Sequence, residues 1–443
     1  MRPEKEKWWD LFGILAEIYQ LPSGRGPLNL GTRRVDAALF FTLLATTLRD
    51  NALILGERGT GKTTLARLIC SLISGLPFEF FEIAQLRVNP ELTLETMIGA
   101  PDLGELNQGR IKVIWTNFVK SPYKIIDELF RLPPGKASIL LQGLDTGIWT
   151  YCGQHLNTGK VPAISAANYA DAGSFEVIPP LLDRLQVAVE MGYRGPRHAL
   201  RVAEGGSIEE KAETLGLNEH LEEAISAAEK PGEEGVKALR ALGEEIKKER
   251  EKQGIPVLYE AELREMKALI EALPVDQTAR EYSQFLISLL SGCPKKGMKR
   301  ANEPCPSTCE FLDSPCSWVQ TGASVRACQA LFRYAKAVAW LTGFEKVKLD
   351  DFVVVAPYIL WHRCAFHSVL KDRFQRDQRS SPWDLFVTQR FVAKVLEIYE
   401  REGEAARILL TQGAPESFGV KANEIKNPVL LDIILEVARE GVG

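Results

Sequence analysis

The sequence predicts an α/β core over residues 31–200, a mostly parallel sheet between helices, followed by an all-helical region. Three observations predict it. Short apolar runs, "NALILG" (51–56), "FEFFEI" (78–83), "YKIID" (123–127) and "VPAISAAN" (161–168), read as buried strands with helical stretches between them. "GERGTGKTT" (56–64) lies between the first run and a helix expected from Lys62 to about Ser74. Beyond residue 203 the composition shifts to Glu, Lys and Ala, and the later periodicity is helical.

The elements follow in order. Residues 1–30 hold an amphipathic helix and the connector "LPSGRGPLNLG". A helix over Val35–Leu48 precedes the first strand. Residues 201–255, broken at "AEKPGEEG", read as solvated helices with a flexible joint, an insertion rather than a core. Residues 256–365 form a second, helical domain interrupted by a cysteine-rich segment, and 366–443 a helical C-terminal extension.

Bulk properties narrow the function. The 443 residues are 45% hydrophobic and 25% charged, ordinary values for a globular chain. A net charge of −4 argues against a chain dominated by nucleic-acid or anionic-lipid binding. The start lacks a signal peptide's apolar core, and no apolar window is long enough for a membrane span. The expectation is a cytoplasmic protein, where clustered cysteines mean metal or redox chemistry more often than disulfides.

The glycine-rich stretch satisfies GxxxxGK followed by Thr. Gly56, Thr60 and Thr64 complete the loop around Gly59 and Gly61, whose backbones must turn so that successive N–H groups face an anion. Lys62 adds a charge for the β- and γ-phosphates of ATP, and Thr63 a hydroxyl for Mg²⁺. Asp127 closes the strand "YKIID", where it holds Mg²⁺ through water or simply starts the next helix. Glu128 follows as candidate base for the attacking water. Asn168 ends "VPAISAAN" and either orients that water or forms a turn. Arg184, in "PPLLDRLQV", is placed on a short helix before another strand. It makes a surface ion pair or reaches a neighbouring subunit's γ-phosphate.

Together these residues resemble the MoxR branch of the AAA+ ATPases, and "GERGTGK" is also similar to the magnesium-chelatase ATPase subunit. "MIGAPDLGELNQGRIKVIW" (97–115) sits where that family has an insertion in its second core helix. "IIDELFRLPPGKASILLQGLD" is similar to its DEINRAPP stretch, matching Arg131 to that motif's arginine. "TGIWTYCGQHLNTGKVPAISAAN" looks like the hairpin leading to the first sensor, Asn168, and Arg184 matches the LDRF arginine. "GASVRACQALFRYAKAVAWLTGFEKVKLDDFVVVAPYILWHR" resembles the family's lid and makes Arg326 the second sensor. The resemblance implies a homo-oligomeric ring, usually a hexamer, with Lys62, Thr63, Asp127 and Glu128 acting from one subunit and Arg184 from the next. It implies a chaperone or remodelling ATPase with a protein client in metalloenzyme maturation, often with a von Willebrand A partner. That partner's DxSxS motif is absent here, so it would be a separate chain.

The cysteine segment has no counterpart in that family. Cys293, Cys305, Cys309 and Cys316 are separated by eleven, three and six intervening residues, with no CxxC knuckle, in a loop between two lid helices. Irregular spacing beside prolines suits a 4Fe-4S cluster first, zinc second and no metal third. The basic "PKKGMKR" inside it keeps a rival class open, an iron–sulfur nucleic-acid translocase or regulator, although the acidic chain makes nucleic acid the poorer partner.

Overall fold

The computed structural model describes residues 4–19, 28–169, 179–192, 196–291, 305–309, 311–374, 382–411, 427, 429–430 and 433. The chain divides into two compact units, Met1–Leu269 and Ile270–Gly443.

In the first unit, helix α1 (Glu4–Ile18) buries Trp8, Leu11, Leu15 and Ile18, three or four residues apart and hence on one face. Helix α2 (Ala37–Leu48), "AALFFTLLATTL", carries no charge and is buried on every side. The Asp36 side chain caps it, accepting the Leu39 N–H at 3.1 Å. The sheet comprises β1 (Ala52–Leu55), β2 (Leu86–Arg87), β3 (Lys124–Asp127), β4 (Ala163–Ala167) and β5 (Val187–Glu190), in the order β5-β1-β4-β3-β2. Every neighbouring pair is parallel. All strand C-termini therefore share one edge, where open α/β sheets bind ligands. Strands β1 and β4 are buried along their whole length, the mark of a sheet covered on both faces. Helix α3 (Lys62–Ser74) ends at Gly75, which adopts φ +85°.

Two expectations are corrected. "FEFFEI" is not a strand: Phe80–Ala84 forms helix α4, and the sheet's edge is Leu86–Arg87 instead. Phe80, Phe81 and Ala84 are buried while Ile83 is 48% exposed, a helical spacing that so short an apolar run does not distinguish from a strand.

The 201–255 region is not a solvated insertion. Its helices Ile208–Thr214, Leu221–Glu229 and α5 (Gly232–Lys252) pack on the core. Helix α5 buries Val236, Leu239, Gly243, Ile246, Lys247 and Arg250 on one stripe. Its backbone approaches the end of α3 so closely that a Cβ on Gly243 would lie 2.4 Å from the Ser74 carbonyl oxygen. A Cβ on Gly75 would lie 2.1 Å from the Gly243 oxygen. Arg250 is 3% exposed and donates to the carbonyls of Ser71 (2.9 Å), Leu76 (3.4 Å) and Leu217 (3.3 Å). Burial pushes its guanidinium down to about 10.

In the second unit, Leu349–Leu360 packs against Gln277–Ser291, Val325–Thr342 and Trp383–Thr411. The unit is not purely helical, because Val319–Thr321 pairs antiparallel with Ala365–Phe366. That pairing satisfies the backbone where the chain enters and leaves the helices.

Candidate nucleotide site

The chain leaves β1 into residues 56–61 and re-enters regular structure as α3. Gly59 (φ +73°) and Gly61 (φ +81°) hold left-handed conformations open to glycine at little cost. Gly56 meets a steric limit, since a Cβ there would stand 2.2 Å from the Met191 carbonyl oxygen after β5. The Thr60 hydroxyl donates to the Glu57 carbonyl at 2.9 Å and braces the turn, while Thr64 is half-buried in the first turn of α3.

Lys62 is 7% exposed, and its ammonium donates to the carbonyls of Gly56 (3.1 Å) and Glu57 (2.6 Å) and to Asn168 Oδ1 (2.9 Å). The loop's lysine and the end of β4 thus meet. Thr63 Oγ1 donates to Asp127 Oδ1 at 2.8 Å, and the Glu128 N–H donates to the same oxygen at 3.1 Å. A hydroxyl and a carboxylate side by side are the hard oxygen donors that Mg²⁺ takes beside substrate phosphates. Glu128 has φ +56°, a left-handed conformation that costs a non-glycine residue about 1–2 kcal/mol. Its carboxylate meets the Arg131 guanidinium at 2.9 Å. Strain of this kind persists where neighbours over-determine it, and it gathers at functional sites.

The structure therefore brings together Gly56, Lys62, Thr63, Asp127, Glu128 and Asn168 at one edge of the sheet. Arg184 is not with them. It follows the Pro179–Leu182 helix rather than standing on it. Its carbonyl accepts from the side chain of Asn51, the residue before β1, at 3.0 Å, which puts it at the opposite edge of the sheet. Four residues of strand separate the edges by about 13 Å. Its guanidinium is held by Asp145 (2.5 Å) and the Pro180 carbonyl (2.8 Å). Arg326 belongs to the second unit, exposed in the first turn of Val325–Thr342, which the Ser324 side chain caps.

Among the cysteines, Cys305 and Cys309 are half-buried and Cys316 is buried, while Cys293 lies outside the described residues. No three metal-ligating side chains come together among the described residues, so the cluster reading rests on the sequence alone. Cys152 is exposed in the turn of the Ile148–Tyr151/Gln154–Asn157 hairpin.

Two residues at the site escaped the sequence reading. Glu190 ends β5 level with Leu55, and burial pushes its carboxyl above the usual range. Its signal was present: "LQVAVE", like "YKIID", closes a buried strand with an acid. Tyr19 donates its hydroxyl to the Gly61 carbonyl at 3.0 Å from 42 residues upstream, and no local pattern announces it.

Comparisons with known proteins agree with this geometry. Residues 51–185 match the AAA domain of the dynein-related subfamily, and residues 316–381 match the AAA lid domain. The fold is similar to the crystal structure of a proposed ATPase from Cytophaga hutchinsonii. The TM-score is 0.56 at 15% identity, over 89% of this chain and 95% of that one. No curated protein matches the chain. No described helix is long and apolar enough to cross a membrane.

Proposed function

We propose that this chain, an AAA+ ATPase with its lid, hydrolyses ATP at the Gly56–Thr64 loop to remodel a protein client, as MoxR-type relatives do. The observation that carries the reading is the 2.8 Å contact between Thr63 and Asp127 beneath the N-terminus of α3. The first-turn amides of α3 face the phosphates, and Lys62 exchanges its carbonyl and amide partners for charged phosphate oxygens, the stronger acceptors. Mg²⁺, held by Thr63 directly and by Asp127 through water, would draw charge from the transferring phosphoryl group. Glu128 takes the proton of the attacking water, and Asn168 orients that water from the end of β4.

Arg184 works on a neighbouring copy in this reading. An arginine at the far edge of its own sheet serves a phosphate only across a subunit interface, which calls for a homo-oligomeric ring, a hexamer by resemblance. Arg184→Ala and Lys62→Ala chains are each expected to be inactive alone and to recover part of the turnover when co-assembled. Absence of recovery in demonstrated mixed assemblies counts against Arg184 as a residue acting in trans.

The client is proposed to be a metalloenzyme under maturation, with a separate von Willebrand A chain as a further partner, in the cytoplasm. The four-cysteine segment is proposed to hold a 4Fe-4S cluster, with zinc as the alternative, and Arg326 to sense the γ-phosphate from the lid. One anaerobic preparation tests the proposal: a co-purifying protein should stimulate ATP turnover, whereas single-stranded DNA or RNA should not. The same material should carry iron and sulfide that Cys309→Ser loses. Stimulation by nucleic acid alone would move the protein to the translocase class, and zinc without visible absorbance would replace the cluster.

A further inference from the structure

We infer that Tyr19 is a positioning residue for the nucleotide site, its hydroxyl aiming the backbone N–H of Lys62 at the phosphates. The inference rests on the Gly56–Thr64 loop being that site. Tyr19 directly follows α1, is 3% exposed, and donates its hydroxyl to the Gly61 carbonyl at 3.0 Å. That carbonyl and the Lys62 N–H belong to one planar trans peptide, in which the two bonds point in opposite directions. Fixing the oxygen on one side fixes the hydrogen on the other. There the first amides of α3 have no intrahelical partner and form the anion nest.

The peptide needs such a restraint because the residue before it is a glycine at φ +81°, with no Cβ to limit rotation. The Leu65 N–H also donates to the Gly61 oxygen, at 2.9 Å, so Tyr19 and the first helical hydrogen bond hold the peptide from two directions. The tyrosine ring adds a steric wall: a Cβ on Gly61 would stand 3.7 Å from it.

Tyr19 is itself anchored by the 201–255 region. Its N–H donates to the Leu15 carbonyl at 3.0 Å, and the Lys211 ammonium donates to the neighbouring Ile18 carbonyl at 3.1 Å. A lysine on the last carbonyls of α1 also complements the negative end of that helix. Lys211 stands on Ile208–Thr214, so this region reaches the phosphate loop through three links: Lys211, the end of α1 and Tyr19.

The test compares Tyr19→Phe, Lys211→Met and Lys62→Ala in the full chain, with N-methylanthraniloyl-ATP as binding probe and steady-state turnover alongside. Tyr19→Phe keeps the ring and removes one hydrogen bond, so nucleotide affinity should weaken by about fivefold. KM should rise in proportion with kcat held within about twofold. The nucleotide-free melting temperature should fall by no more than about 4 °C. Lys211→Met should shift KM in the same direction, and Lys211→Arg should restore it. Unchanged affinity in Tyr19→Phe, with binding abolished in Lys62→Ala, overturns the role of Tyr19 and leaves the site intact. A lowered kcat at constant KM with a lower melting temperature overturns it as well, because that is the signature of loosened packing. Full binding in Lys62→Ala removes the site assignment and the inference with it.

Discussion

Glu128→Gln is expected to bind ATP about as tightly as the parent chain and to turn it over about 10²–10⁴-fold more slowly, the usual contribution of a positioned base. The glutamine keeps the length and planarity of the side chain, and the backbone N–H that donates to Asp127 is untouched. The φ of +56° places the carboxylate just past the strand end, and Arg131 orients it at 2.9 Å. The capacity to accept a proton is lost, and the ion pair with Arg131 is reduced to a hydrogen bond from the guanidinium to the amide oxygen. Binding should survive because Lys62, Thr63 and the α3 amides are unaltered. Equilibrium nucleotide binding and single-turnover hydrolysis separate the two quantities. Retained turnover in the glutamine variant would take Glu128 out of the base role and leave water activation to another carboxylate at the same edge.

The second large effect is on stability. Arg250→Ala should destabilise the first unit by about 3 kcal/mol, since truncation removes buried hydrogen bonds from a charged donor and opens a cavity. The carbonyls of Ser71, Leu76 and Leu217 each lose one of two donors at a site only 3% exposed, and keep the Gly75 N–H, the Ser71 hydroxyl and the Phe78 N–H respectively. The melting temperature should fall by roughly 6–12 °C. The pH dependence follows from the depressed guanidinium. The folded-state value of about 10 lies below that of the unfolded chain, so the two states differ in protonation only at pH near and above about 10, where stability would rise with pH. The loss should therefore be the same at pH 6 and pH 8. Chemical denaturation at both pH values measures it, and a change below about 0.5 kcal/mol would mean that Arg250 merely fills space. Arg250 lies against the C-terminal end of the helix whose N-terminus would face the phosphates in the proposed site, so nucleotide affinity measured on the variant also reports how rigidly α3 must be held.

Several of the site's parts were legible because each is a local pattern. Loop and helix are contiguous at "GERGTGKTT", and the turn geometry that glycines permit there does not depend on distant residues. Asp127 and Asn168 were readable because a polar residue closing an apolar strand in a parallel sheet emerges at the ligand edge. Glu190 obeys the same rule at the end of the strand that follows Arg184. "FEFFEI" was misread because six residues span fewer than two helical turns, too few for the period to declare itself. The stripe on α5 was hidden for a different reason. Its buried positions include Gly243, Lys247 and Arg250, residue types whose burial is set by partners rather than by polarity.

From its own order of residues this chain determined a glycine-rich loop of the phosphate-binding pattern, the acid and amide that close neighbouring strands, and the mostly helical character of the described residues past 200. Those features need only neighbours within about one turn or one strand. Tertiary structure alone decided that Arg184 stands at the edge remote from the loop, that α5 lies against α3 through two glycines, and that Tyr19 holds the Gly61 peptide. Each of those depends on strand order, backbone approach or one hydrogen bond between distant segments, quantities that exist only once the chain has closed on itself.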